Sequence, residues 1–320
     1  MRKQLFLGLA GGIGVLWGVV SRADWPHYRG PNHDGSAATT IRTNWTSNAP
    51  RELWRIPLGP GWSSFAAGGG RLFTQVRRTQ GGSEREFAVA LNPDTGETLW
   101  STELGRAQYG NLVGYDDNLD GPRSTPTVAG DRVFILTSQM VLFCLRADTG
   151  AVIWRRDFIA DLGASNIPWE SAACPLVVGG MVVVNCNAPS EGSFLAASTG
   201  DGRTMWRSGS DGATHASPVL AQLHGEAQVV FVTLSGLVGL NPQTGASRWR
   251  LPFSPSTTST AASPVVSGEY VYASAAYGRG AWTARVTATG TAFAASEAWR
   301  QRGDQYQNHW ATAVAYEGHL

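Results

Sequence analysis

A ten-residue phrase, apolar-x-x-x-Thr-Gly-x-x-x-Trp, recurs along the chain and limits what it can fold into. It stands at Leu91–Trp100, Leu145–Trp154 and Leu240–Trp249, with a looser copy at Ala197–Trp206 and a degenerate one ending at Trp299. From Trp54 through Trp299, the tryptophans of this series follow one another at roughly 43 to 54 residues. A period of that length holds four short strands, a unit too small to bury both of its faces and stable only when stacked on neighbours. The expected fold is all-β: a β-propeller of four-stranded antiparallel blades, with five blades and a partial sixth in this chain.

Each unit opens on a small-residue and proline phrase that runs into an apolar strand, as in Ser124–Val128, Ala173–Val177, Ala216–Leu220 and Ala262–Val266. Proline is tolerated at the first residue of a strand, where no ladder donor is lost. Small residues suit the crowded axis of a propeller. A glycine turn and a β-branched strand follow, for example Arg132–Leu136 and Val182–Asn185. The third strand leads into the Thr-Gly turn, where glycine supplies positive φ, and the fourth carries the tryptophan.

These phrases resemble the pyrroloquinoline-quinone (PQQ)-type repeat propellers, a group that includes quinoprotein alcohol dehydrogenases and the outer-membrane assembly lipoprotein of the Bam machinery. The likeness is greatest to secreted bacterial propellers of this type. It is carried further by Asp24–Asn32, Asp120–Pro126 and Ala276–Gly280, and covers the chain from Asp24 to Leu320. Such propellers have seven or eight blades. Here Asn308–Leu320 reads as the first strand and turn of a sixth, so the sequence is expected to be a fragment truncated at its C-terminus. Glu52–Leu58 resembles the lone outer strand that completes the last blade of a closed ring.

Residues 1–23 read as a signal peptide: Arg2 and Lys3, an apolar stretch from Leu5 to Val20, and the small-x-small site Ser21-Arg-Ala23. A periplasmic or secreted protein follows, with no membrane span after cleavage. Residues 24–50 form an N-terminal extension and 51–320 the propeller domain. A formal net charge of +1 with scattered basic residues gives no reason to expect a nucleic-acid partner. Cys144, Cys174 and Cys186 make an odd count for an oxidising compartment. A two-residue turn at Gly179-Gly180 would pair Val178 with Met181 and set Cys174 opposite Asn185; a three-residue loop would oppose Cys174 and Cys186. Buried free thiols are the expectation.

Residues that enter the first strand of each blade converge on one mouth of the channel. Aligning on the proline phrase places Trp62, Arg123, Glu170, His215, Asn308 and His309 there, with Arg279 pointing to the same place or lying in a tight loop. A cation, a carboxylate, two imidazoles and an indole suit a small polar or anionic ligand. Asp116, Asn118 and Asp120 match the opening of a calcium loop, but position twelve is Thr127 and a solvated turn explains the acidity as well.

The resemblance also implies what a quinoprotein would require: PQQ held in the axial channel between a tryptophan and a vicinal disulfide, polarised by Ca²⁺. No two cysteines are adjacent here. The expected role is therefore binding or scaffolding, for a protein partner or a small polar ligand. A PQQ-dependent alcohol or sugar dehydrogenase, with PQQ and Ca²⁺ as cofactors, is the alternative. A carbohydrate-binding propeller, suggested by Trp25, Trp62 and Trp310, is a third.

Overall fold

The architecture is taken from a computed structural model that describes residues 24–109, 120–189, 192–255 and 260–320. The described residues form five four-stranded antiparallel sheets, each built in sequence order. The first holds β1 (Ala66–Gly68), β2 (Arg71–Gln80), β3 (Ser83–Leu91) and β4 (Thr98–Arg106). The second holds β5 (Thr127–Ala129), β6 (Arg132–Leu136), β7 (Val141–Arg146) and β8 (Val152–Asp157), followed by the one-turn helix α1 (Phe158–Leu162). The third is β9 (Leu176–Val178), β10 (Met181–Asn185), β11 (Phe194–Ser198) and β12 (Thr204–Ser208). The fourth is β13 (Val219–Leu223), β14 (Glu226–Thr233), β15 (Gly236–Leu240) and β16 (Ser247–Pro252). The fifth is β17 (Val265–Ser267), β18 (Tyr270–Ala275), β19 (Gly280–Thr289) and β20 (Ala292–Gln301). This is the expected propeller class.

The middle strands read as unbroken apolar runs because both of their faces are covered. On β6, Val133 and Ile135 pack against Phe73, Ala88 and Ala90 of the first blade. Phe134 and Leu136 face the other way, onto Val182, Val184 and Leu195 of the third. The third blade meets the fourth through Phe194, Trp206, Val229 and Phe231, and the fourth meets the fifth through Val230, Leu237, Val271 and Ala284. Each core therefore lies between blades, and no blade buries its apolar surface alone.

A directed contact fixes how the first four blades meet in turn. The indole N–H of Trp100 donates to the carbonyl of Ala147 at 3.0 Å, Trp154 to Thr199 at 3.1 Å, and Trp206 to Pro242 at 3.0 Å. Each acceptor lies three residues before the turn glycine of the next blade. The ring then lies flat over that glycine: Gly150, Gly202 and Gly245 have φ near +72°, +73° and +72°, and a Cβ on any of them would collide with the tryptophan of the preceding blade. Glycine is required there both by the positive φ and by the close approach.

Trp54 makes the same contact with the first blade. Its N–H donates to Pro93 at 3.0 Å, and a Cβ on Gly96 would fall 2.6 Å from its ring. Residues 51–58 nevertheless form no ladder with any described strand, unlike the outer strand expected at Glu52–Leu58. The segment delivers Trp54 and Ile56 onto Val76, Phe87 and Leu91. Trp249 differs, bonding Gln228 Oε1 within its own blade at 2.7 Å. The Thr289-Gly290 turn of the fifth blade does not receive it, since nothing lies within 4 Å of where a Cβ on Gly290 would stand.

A second belt runs round the axis. In successive blades a backbone N–H donates to the side chain at the same repeat position of the next blade: Ser64 to Thr125 Oγ1 at 3.1 Å, Thr125 to Cys174 Sγ at 3.2 Å, and Cys174 to Ser217 Oγ at 3.0 Å. Ser263 donates likewise to Thr312 Oγ1 at 3.0 Å. Ala313 and Ala315 cover Val265 and Tyr272 on the free face of the fifth blade. Residues 312–315 thus occupy the place of a next inner strand, although they form no strand, and the tail shows only a bridge between Tyr316 and His319. All three cysteines are buried and free. Val178 pairs with Met181 across a two-glycine turn, the register that places Cys174 opposite Asn185.

Residues 24–35 fill the axis at the level of the inner strands. Trp25 bridges to Ala67, and the carbonyl of Pro26 accepts from Val128 at 2.7 Å. Arg29 donates to the carbonyls of Thr312 and Ala313 at 3.3 and 2.9 Å. His27, Tyr28 and His33 border a small cavity shared with Cys174–Leu176, Ser217–Val219 and Ser263. Trp25 is half-buried against Gly30 and forms no part of an exposed aromatic surface.

Two substitutions test the belts, read by urea denaturation. Trp154→Phe should lose one hydrogen bond, about 1 kcal/mol, whereas Trp154→Ala should cost about 3–5 kcal/mol. Cys174→Ser, the residue of the fourth and fifth blades, should keep stability near that of the parent. Cys174→Ala strands the Thr125 N–H and should cost about 1–3 kcal/mol.

Candidate functional site

The belt position sets the height of the residues that precede it. Trp62, Arg123, His215 and Trp310 each stand two residues before a belt residue (Ser64, Thr125, Ser217 and Thr312), so their backbones enter the ring at one level. Glu170 and His309 arrive from the connections before their own blades. Arg123 is held firmly: its Nη2 donates to both oxygens of Asp120 at 2.9 Å, and its Nη1 lies 3.7 Å from Glu170 Oε2. Glu170 follows Trp169 on a backbone with φ of 57° and 70° respectively. Two consecutive side-chain-bearing residues in the left-handed region are costly, and such strain collects at functional sites.

His215 is 6% exposed. Burial, with the nearby Arg123 charge in second place, pulls its pKa down to about 4, so it is a neutral imidazole at neutral pH. Burial also lowers the pKa of His309. Arg123 Nη1, His215 Nε2 and His309 Nδ1 are buried atoms with no hydrogen-bond partner among the described residues.

Two further groups belong to this mouth. Glu86 on β3 is fully buried; one oxygen accepts from Tyr109 Oη in a short bond and the other from the Ser138 N–H at 3.2 Å. Burial raises its pKa, and burial followed by the Glu86 charge raises that of Tyr109. Arg77 and Arg123 lie over the Tyr109 ring at 6.0 and 5.9 Å. The signal for Glu86 was strand phase. It alternates with Ala88 and Ala90, the face that packs on the second blade. A carboxyl in that phase must be buried, and therefore needs partners.

Of the other residues expected at the mouth, Trp62, Arg279 and Asn308 form no hydrogen bond to the Arg123 side chain among the described residues, although the Trp62 N–H donates to the carbonyl of the neighbouring Pro122 at 2.8 Å. Trp62 is 67% exposed. Arg279 is exposed in the turn after β18. Asn308 contributes its backbone N–H, which donates to Ser274 Oγ at 2.7 Å. Asp116 and Asn118 lie outside the described residues, and Asp120 commits both oxygens to Arg123.

The residues present do not fit a quinone bound as the resemblance implied. The axis is filled by residues 24–35, and Arg123 is already neutralised by two carboxylates. Cys144 and Cys186 lie in the core between the second and third blades, while Cys174 serves the belt.

Residues 84–316 match the family model described as outer membrane protein assembly factor BamB. Among solved structures, a europium-containing methanol dehydrogenase aligns at 11% identity and a TM-score of 0.54, over 80% of this chain and 63% of its own. The quinohemoprotein alcohol dehydrogenase from Comamonas testosteroni aligns at 13% identity and a TM-score of 0.56, over 82% of this chain and 46% of its own. BamB from Moraxella catarrhalis aligns at 17% identity and a TM-score of 0.44, over 77% of this chain and 76% of its own. The chain spans less than two thirds of the two dehydrogenases, and identities this low show the fold alone. No curated protein matches the sequence.

The buried imidazoles predict acid lability. His33, stacked on His27 with centroids 3.9 Å apart, has its pKa lowered to about 3, by burial first and the neighbouring His27 second. For His33 and His215 the unfolded chain takes up a proton near pH 6.5 that the folded chain refuses until pH 3–4. Their contribution is complete above pH 6.5 and shrinks as the pH falls towards those values. His215→Gln should therefore flatten the stability profile between pH 7 and 4 by on the order of 3 kcal/mol relative to the parent, measured by denaturant titration at each pH.

Proposed function

The chain belongs to the family described as outer membrane protein assembly factor BamB, a family of PQQ-like repeat propellers, and from that premise we propose that it is a periplasmic or secreted binding module. Its site is the mouth formed by Arg123, Glu170, His215 and His309, and its ligand is a small polar molecule. The observation that carries this is the convergence of two unpartnered buried imidazole nitrogens, His215 Nε2 and His309 Nδ1, beside Arg123, whose Nη1 is ion-paired to Glu170 at 3.7 Å but makes no hydrogen bond. Buried polar atoms are almost always hydrogen-bonded, and a ligand or ordered water is what satisfies them when the protein does not. Delivery outside the cytoplasm rests on the leader-like residues 1–23, which lie outside the described residues. Among the described residues no helix is long and apolar enough to cross a membrane. The blade edges leave room for a scaffolding role alongside ligand binding, as the family description suggests.

The test is thermal shift of the folded protein against a panel of neutral and charged polar metabolites, with PQQ plus Ca²⁺ as a separate arm. Saturable stabilisation by a panel member is expected, weakened at least tenfold in Arg123→Gln and His215→Gln. Stabilisation by PQQ that requires Ca²⁺ would overturn the binding-module assignment in favour of a dehydrogenase.

A further inference from the structure

The rim of the mouth narrows the ligand class, and this step rests on the mouth being a binding site. Among the described tryptophans, Trp154, Trp206, Trp249 and Trp282 are buried between blades. Trp62 and Trp310 are 67% and 69% exposed. Both occupy the repeat position that the other blades fill with Arg123, Ala172, His215 and Ala261. Since alanine satisfies the fold at two of those places, stacking of the blades does not require an indole there. Tyr277, 66% exposed, meets His309 edge-on with centroids 4.9 Å apart, and His309 meets Trp310 at 4.6 Å. The Tyr277 hydroxyl lies 3.3 Å from His309 Nε2. Tyr277, His309 and Trp310 therefore form a continuous aromatic ledge beside the unpartnered donors.

Charge sets the second constraint. Arg123 faces two carboxylates, Asp120 and Glu170, and both imidazoles are driven towards the neutral form by burial. An anion would gain little Coulombic attraction at such a mouth, because Arg123 is matched by Asp120 and Glu170, and Arg77 by Glu84 at 3.3 Å. What the mouth offers is flat apolar ring surface next to neutral and charge-compensated hydrogen-bonding atoms. A pyranose has the matching chemistry: C–H faces that cover an aromatic ring, and hydroxyls that both donate and accept. We infer that the ligand is a neutral saccharide, stacked on the rim of Trp62, Tyr277 and Trp310 and hydrogen-bonded by Arg123, His215 and His309.

The closing experiment is calorimetric titration of the intact protein with cellohexaose, maltohexaose, xylohexaose and chitohexaose, at low and high salt. The expected result is saturable binding of at least one of them, changed less than twofold by salt. It should be weakened at least tenfold in Trp310→Ala and in Trp62→Ala, surface substitutions that leave the melting temperature in place. Binding that survives in the Trp62→Ala/Trp310→Ala double variant would put the sugar elsewhere and overturn the inference. If none of the four binds but a charged metabolite does, through Arg123, the saccharide falls and the mouth remains a binding site. If neither class binds to folded protein, both fall.

Discussion

The bond from Trp100, Trp154 and Trp206 to the glycine turn of the next blade is the contact on which the rest of the structure depends. Apolar packing between sheets is non-directional and would tolerate sliding. An indole N–H aimed at one carbonyl, with its ring pressed on a glycine that has no room for a Cβ, does not tolerate it. The repeat thus sets register as well as period. Where the turn receives no tryptophan, as at Gly290 of the fifth blade, the arrangement changes. Trp249 turns inward to Gln228, and the outer strands β16 and β20 pack side by side instead.

With the blades in register, the inner belt follows. Ser64, Thr125, Cys174, Ser217, Ser263 and Thr312 come to one level, and each of the first three linked steps joins a backbone donor to the next side chain. Cys174 is a sulfur version of a position that elsewhere carries a hydroxyl, which accounts for a buried thiol that is neither paired nor exposed. Residues 24–35 then close the axis over this belt through backbone bonds to the first and second blades and the Arg29 fork to Thr312 and Ala313. Polar side chains two to four residues ahead of the belt are left gathered above a filled channel.

Inside the mouth, charge compensation matters as much as charge. Arg123 organises Asp120, Glu170 and Tyr109 and depresses the basicity of His215. Tyr109 passes the interaction on to the buried Glu86 between the first two blades. Within this cluster the buried nitrogens His215 Nε2 and His309 Nδ1 are left unsatisfied among the described residues, a condition under which a polar partner gains by binding.

Several of these features were legible in the residues and others were not. The period of the tryptophan phrase determined the blade, the antiparallel order and the glycine turns, because those depend on local spacing and backbone conformation. The turn at Gly179-Gly180 even determined the register that separates Cys174 from Cys186. Alignment on the proline phrase grouped Trp62, Arg123, Glu170, His215, Asn308 and His309, of which the structure sets Glu170 and His215 beside Arg123. Asp120 read as a cation ligand, and only the structure shows it bound to Arg123. Glu86 and Tyr109 went unread, since their contact joins the first blade to the segment after it. The filling of the axis by residues 24–35 was equally hidden, as a stretch without strands has no period to announce its place. Repetition along the chain determines the architecture; which polar groups meet across the axis is decided by packing between segments far apart in sequence, where no local pattern carries the information.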